Sequence, residues 1–248
     1  MADRMAQRGR FRFLTWLGRH ERTVLLALAG IVTGVWLFAL LADEVIEGGT
    51  KAFDQNLLLA FRHSDTHELL GPPAVQEAAR DITALGGVAV LTLVTVIAAG
   101  FLSLDGKKHM AFFVLGSVLG GQVIGTILKD LFQRARPDLV PFSAYASGAS
   151  FPSGHTLMSA VTYLTLGALL ARSQERKRVK AYLLLVAIFL TFAVGVTRVY
   201  LGVHWPTDVL AGWTAGAVWA LICWLTARKL QSRRTLERET DHETTHAH

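Results

Sequence analysis

The twelve residues TRVYLGVHWPTD, 197–208, join two apolar runs, 181–197 and 209–227, each long enough to cross a lipid bilayer. Into this short link the chain places Arg198, His204 four residues ahead of Asp208, and Pro206, which suits the first turn of a following helix because its missing N–H is not needed there. A plain connector between membrane spans needs none of these side chains. A tidy interfacial turn is one reading of the stretch. The other is a catalytic site, and the rest of the chain decides between them.

Working outward, further apolar runs cover 23–42, 83–104, 110–128 and 156–171, making six in all. About 20 residues at ~1.5 Å each span the ~30 Å hydrocarbon layer. In a chain of 248 residues that is 52% hydrophobic with a mean hydropathy of +0.38, six spans leave no room for a sizeable soluble domain. The expected fold is all-α: a polytopic membrane protein with six transmembrane helices in one bundle. A basic segment, 1–22, precedes the six-span domain at 23–228, and a polar tail, 229–248, follows it. In segment 1–22, Phe11, Phe13, Leu14, Trp16 and Leu17 alternate with cations, as in a surface-lying amphipathic helix or a simple basic anchor. The tail reads as irregular, and its closing histidines as solvated.

Charge placement orients the spans. Eighteen of the 25 Lys and Arg fall on the side of the two termini and seven on the other. By the positive-inside rule both termini are cytoplasmic. The seven on the outer side are Lys51, Arg62, Arg80, Lys129, Arg134, Arg136 and Arg198. The net charge of +6 therefore reflects topology and anionic lipid headgroups rather than nucleic-acid binding. The single Cys223 excludes an intrachain disulfide and a cysteine metal site. The first apolar run is longer than the core of a cleaved signal peptide.

The outer loop 43–82 is too polar to cross. Phe53, Leu57 and Phe61 recur at a spacing of four beside Leu58, giving an interfacial helix with one greasy face, bounded by Gly48-Gly49 and Gly71-Pro72-Pro73. Gly86-Gly87 and the glycines at 116, 120, 121 and 125 read as sites of close helix packing.

Three clusters lie at outer span ends. Lys129 and Arg136, seven apart, would share a helix face about 10 Å apart along the axis, with Pro137 stopping the helix. They can snorkel to the interface or hold a phosphate. Next comes Phe151-Pro152-Ser153-Gly154-His155, where Ser153 is a natural N-cap. Free N–H groups at such a helix start attract anions, Gly154 allows close approach, and His155 can donate a proton. The third is the opening stretch, where Asp208 can hold one ring nitrogen of His204 and leave the other free to attack.

The pattern Lys129-x6-Arg136-Pro137, Pro152-Ser153-Gly154-His155 and Thr197-Arg198-x5-His204-x3-Asp208 resembles the three-part signature of the type 2 phosphatidic acid phosphatase (PAP2) superfamily. Every spacing agrees; Thr197 stands where the family pattern has Ser, keeping a hydroxyl. The resemblance implies a lipid phosphatase of the bacterial cytoplasmic membrane, with its site on the outer face. His204 would be the nucleophile that becomes phosphohistidine, Asp208 its orienting carboxylate, and His155 the proton donor. Lys129, Arg136, Ser153, Gly154 and Arg198 would bind phosphate, with no metal or other cofactor. Phosphatidylglycerophosphate, phosphatidate, undecaprenyl diphosphate and lipid A phosphate are the substrates it allows. A phosphotransferase would use the same residues with an acceptor other than water. A transporter, by contrast, should carry ionisable groups near mid-membrane, and these spans hold almost none away from their ends.

Overall fold

A computed structural model describes the backbone of residues 2–138 and 148–245 and the side chains of 22–138 and 148–229. Helices follow one another as α1 (Ala2–Glu47), α2 (Lys51–Leu59), α3 (Pro73–Ala84), α4 (Val88–Leu104), α5 (Lys108–Phe132), α6 (Gly154–Ser159), a π-helical turn (Ala160–Leu164), α7 (Thr165–Ser173), α8 (Lys177–Tyr200) and α9 (Pro206–Thr245). Among the described residues there is no strand, only an isolated bridge between Arg62 and Leu69. Among the described residues, five helical stretches are long and apolar enough to cross a membrane: Arg22–Glu47, Lys108–Phe132, Gly154–Ser173, Lys177–Tyr200 and Pro206–Lys229. Helices α3 and α4 meet the same test only together, as a pair bent by 49°.

That bend corrects the expectation of an unbroken span over 83–104. The chain leaves α3 after Ala84, turns through Leu85-Gly86-Gly87, and restarts at Val88 with Gly87 extended at the cap. The glycine pair sits in this break, and a Cβ on Gly86 would lie 3.2 Å from the His155 carbonyl. The Tyr163 hydroxyl, from the π-helical turn, donates to the Leu85 carbonyl at 2.7 Å and so satisfies a group the break leaves open.

The stretch from α6 to α7 is the most buried of the spans, packed among α5, α8 and α9, whereas α1 lies on the outside against α9. Small residues bring the central helices together. A Cβ on Gly212 would come within 2.9 Å of the Ser153 carbonyl, and one on Gly216 within 2.6 Å of the Ala160 methyl group. With no large hydrophobic driving force inside lipid, such close approach is what holds helices together. Gly121 (against Val161) and Gly120 (against Trp219) serve the same end, but a side chain on Gly116 would meet nothing. Phe151, fully buried, packs edge-on to Phe132 at 4.9 Å between centroids and against Phe38 at 5.8 Å, pinning the approach to α6 between α1 and α5.

Other details also depart from the sequence reading. Lys129 and Arg136 do not share a helix: α5 ends at Phe132, and Gln133 takes a left-handed conformation, φ 42°, with its N–H on the Lys129 carbonyl. The left-handed Gln133 ends α5, and Arg136, as the residue before a proline, is biased toward extended backbone rather than a further helical turn. The loop 43–82 holds two helices, and Phe61 falls beyond α2, edge-on to Tyr200 at 5.9 Å. α9 continues to Thr245 where an irregular tail was expected; no Gly or Pro interrupts it after Gly216. The side chains of 1–21 and 230–248, with the aromatic residues and histidines noted there, lie outside the described residues, as does 139–147.

Candidate active site

The link 201–205 turns sharply from α8 into α9, with Pro206 at the first helical position as its fixed φ favours. Asp208, in the first turn, is fully buried and folds back: one carboxylate oxygen accepts the Trp205 N–H at 3.0 Å and faces His204 Nδ1 at 3.4 Å. On the other side of the ring, an Arg136 Nη1 proton points at His204 Nε2 at 3.1 Å. A carboxylate on Nδ1 and a cation on Nε2 fix one tautomer, with the proton on Nδ1 and the lone pair on Nε2. Burial pulls the His204 pKa down to about 4, against the Asp208 hydrogen bond and charge, which raise it. The ring is therefore neutral at physiological pH.

Arg136 itself is tied by Nε to the Gly148 carbonyl at 3.0 Å and by Nη1 to the Val203 carbonyl at 2.8 Å. The strand of chain carrying it is stitched to 148–150, where Ser150 bonds the Arg134 and Ala135 carbonyls. Burial lowers the Arg136 pKa from its ordinary value.

Lys129, Arg136, Gly154, His155, Arg198 and His204 all line one cavity of about 420 Å³. Gly154 admits the lysine: a Cβ there would lie 3.2 Å from Lys129 Nζ. Arg198 reaches in from the last turn of α8, donates from Nη1 to the Thr83 hydroxyl at 3.1 Å, and leaves Nε buried with no partner among the described residues. Neither Lys129 nor Arg198 pairs with a carboxylate among the described residues. The rest of the lining is largely apolar, formed by Val88, Leu91, Val118, Leu119 and Met158 from α4, α5 and α6, with Gln122 and Thr92 set into it.

Two residues of the sequence reading stand behind this cavity rather than in its wall. Asp208 backs His204, and Ser153, wholly buried, backs Gly154. Ser153 does occupy the N-cap position of α6, but its hydroxyl does not cap the helix; it accepts the Thr156 hydroxyl at 2.9 Å, while its N–H binds the Asp208 carbonyl at 3.0 Å. The start of α6 is thus anchored on the first turn of α9.

One layer went unread in the sequence. Arg134 donates from Nη1 to Asp208 Oδ1 at 2.7 Å and to the Thr207 hydroxyl at 2.8 Å, and from Nη2 to Asp54 Oδ2 at 2.6 Å. Asp54, 1% exposed on α2, also accepts the Thr207 N–H and hydroxyl. Phe53 and Leu57 of the greasy face are exposed, and Asp54 with Leu58 turns inward from α2. The available signals were a lone acid in an apolar helix and an arginine on the side where cations are scarce.

Comparison with known proteins agrees with this arrangement. Residues 110–232 match the PAP2 superfamily. The chain is 30% identical over 187 residues to phosphatidylglycerophosphatase B of Bacillus subtilis (strain 168), covering 72% of this chain and 85% of that one. It is 30% identical over 175 residues to the lipid A 1-phosphatase of Rhizobium etli, covering 61% and 71% respectively. The crystal structure of a transmembrane PAP2-type phosphatidylglycerolphosphate phosphatase from Bacillus subtilis superposes with a TM-score of 0.71 at 27% identity, over 80% of this chain and 96% of that chain. With its helical bundle, its signature residues gathered at one cavity and relatives matched over most of its length, the chain belongs to the PAP2 superfamily of phosphoric ester hydrolases.

Proposed function

We propose that the protein hydrolyses a phosphate ester or diphosphate on a membrane lipid through a phosphohistidine. The observation that carries this reading is the one cavity in which Lys129 and Arg198, two cations without carboxylate partners among the described residues, meet the buried ring of His204. An unpaired buried cation is costly, and a phosphoryl group restores the balance.

In this mechanism the phosphoryl oxygens bind Lys129, Arg136, Arg198 and the N–H groups at Gly154, where charge builds in the transition state. Arg136 shifts its Nη1 proton from His204 Nε2 to a phosphoryl oxygen, which frees the lone pair. Nε2 then attacks phosphorus in line, forming the P–N bond as the P–O bond to the lipid breaks. His155 gives its proton to the leaving oxygen. Asp208 holds the Nδ1 proton and stabilises the positive ring. Water next attacks phosphorus, His155 takes its proton, the P–N bond breaks, and inorganic phosphate leaves. Ser153 helps by fixing the start of α6. The cations here fill the electrostatic role that a metal takes in other phosphatases.

The apolar wall favours a lipid as the leaving group: it adjoins the cation cluster and runs along membrane-crossing helices. The charge bias of the loops favours the cytoplasmic membrane, with both termini inside and the cavity opening outward. Phosphate release from a panel of lipid phosphates, measured on the purified protein with chelator present, tests the reading. Wild type is expected to release phosphate, with His204→Ala and His155→Ala strongly impaired. Full activity in His204→Ala would remove the nucleophile, and dependence on added metal would remove the cation account.

A further inference from the structure

Hydroxyl side chains inside these spans mostly satisfy themselves on the preceding turn. Thr95 donates to the Leu91 carbonyl, Thr126 to Gln122, Thr191 to Ala187, Thr214 to Leu210 and Thr226 to Ile222, at 2.6 to 3.0 Å. Thr92 does not. Its hydroxyl and the Gln122 side-chain amide make no hydrogen bond among the described residues, and both line the cavity, on α4 and α5.

Their depth makes this informative. Gln122 lies seven residues before Lys129 on α5, which places it about 10 Å from the lysine toward the middle of the helix. Thr92 lies about 6 Å into α4 from Val88. Both therefore sit below the phosphate site, in the otherwise apolar part of the wall. A polar group at such depth is costly when unpaired, and polar side chains within a span mark what passes along it. A lipid held by its phosphate at Lys129 and Arg198 must run past this pair.

Lipid phosphates differ in what they present there. A glycerophospholipid, or an acylated sugar phosphate, carries acyl carbonyls a few bonds below the phosphate. An isoprenoid diphosphate presents its second phosphate directly beside the first, within reach of the cation cluster, and only hydrocarbon at the depth of Gln122 and Thr92. Gln122 supplies two N–H donors and Thr92 one O–H, and both suit a carbonyl oxygen. A site built to hydrogen-bond its substrate rejects analogues that leave its polar groups unpaired. We infer that Gln122 and Thr92 read the acyl carbonyls of the substrate, so that the protein selects acylated phosphate lipids over isoprenoid diphosphates; this rests on the lipid phosphatase reading above.

The experiment measures kcat/KM of the purified full chain in mixed micelles on three substrates: a diacyl phosphatidate, its dialkyl ether analogue and an isoprenoid diphosphate. Wild type prefers ester to ether by about fivefold to tenfold, the range expected for one or two hydrogen bonds. In Gln122→Leu and Thr92→Val the ester-to-ether ratio falls toward one, and the ester-to-isoprenoid ratio falls with it. Both substitutions place an apolar side chain in a membrane span, and an unchanged melting temperature confirms that they fold. Equal turnover of ester and ether by wild type, or a Gln122→Leu variant that slows both alike, overturns the carbonyl reading while His204-dependent phosphate release stands. No release by wild type from any substrate, or equal release by His204→Ala, overturns the phosphatase reading and this inference with it.

Discussion

Arg134 and Arg198 are the same residue type at the same end of the bundle, and they are treated in opposite ways. Arg134 is held by two carboxylates, Asp54 and Asp208, at 2.6 and 2.7 Å, and shares Thr207 with Asp54. Among the described residues, Arg198 has one hydroxyl partner and a buried Nε with none, and Lys129, which shares its cavity, pairs with no acid. A buried cation that is fully paired is part of the frame. One left unpaired in a cavity keeps its capacity for an incoming anion. In the proposed mechanism it is this pairing, more than the residue type, that separates what positions the site from what receives the substrate.

The largest expected effect lies where both groups meet. His204→Ala should lower kcat by about 10³-fold or more, as loss of a nucleophile does, with the fold retained by circular dichroism. Next come the receiving cations. Arg198→Met and Lys129→Met should each lower kcat/KM by roughly 10²-fold through lost transition-state charge stabilisation, while leaving the melting temperature level or raised. Arg134→Met should do the reverse in stability. It strands the Asp54 and Asp208 carboxylates, a loss of about 3–5 kcal/mol for a broken buried pair, and should lower the melting temperature markedly. If Lys129→Met destabilised the protein and Arg134→Met did not, the comparison would be inverted.

A smaller effect sharpens the same contrast. Inorganic phosphate, or vanadate as its analogue, should raise the wild-type melting temperature in proportion to its binding, and this gain should vanish in Arg198→Met. The smallest near neutral pH is the acid limb of kcat/KM. In the proposed mechanism His204 attacks only when neutral, and burial lowers its pKa to about 4, so its acid limb should fall as pH drops through about 4, while the need for a protonated His155 adds a separate fall as pH rises. The stability sign follows. A histidine whose folded pKa lies below its ordinary 6.5 stabilises the fold fully above that value and progressively less as pH falls toward about 4. A profile breaking near 6.5 would mean that His204 is more open to water than its burial indicates.

How much of this was readable depends on distance along the chain. His204 and Asp208 are four residues apart across a helix start, and the structure brings them within 3.4 Å, as that spacing allows. The membrane spans were readable because each is set by its own run of apolar residues. Lys129 and Arg136 were placed in the right cavity by the wrong geometry: a left-handed residue at Gln133 replaces the expected helical turn. Gly86 and Gly87 read as packing, and their position in a 49° break beside His155 depended on where α3 meets α8 and the π-helical turn. Asp54 and Arg134 went unread because they are 80 residues apart.

The sequence alone determined which segments can lie in a membrane, and at whose ends the cations and histidines fall. Hydropathy, caps and short-range spacing are local properties, decided within a few turns of chain. Only the tertiary structure decided which cation is neutralised and which is left waiting, and that the acid of α2 supports the His204–Asp208 pair. Ion pairing and desolvation depend on what distant helices bring within about 4 Å, where the Coulomb term is strongest and water has been excluded.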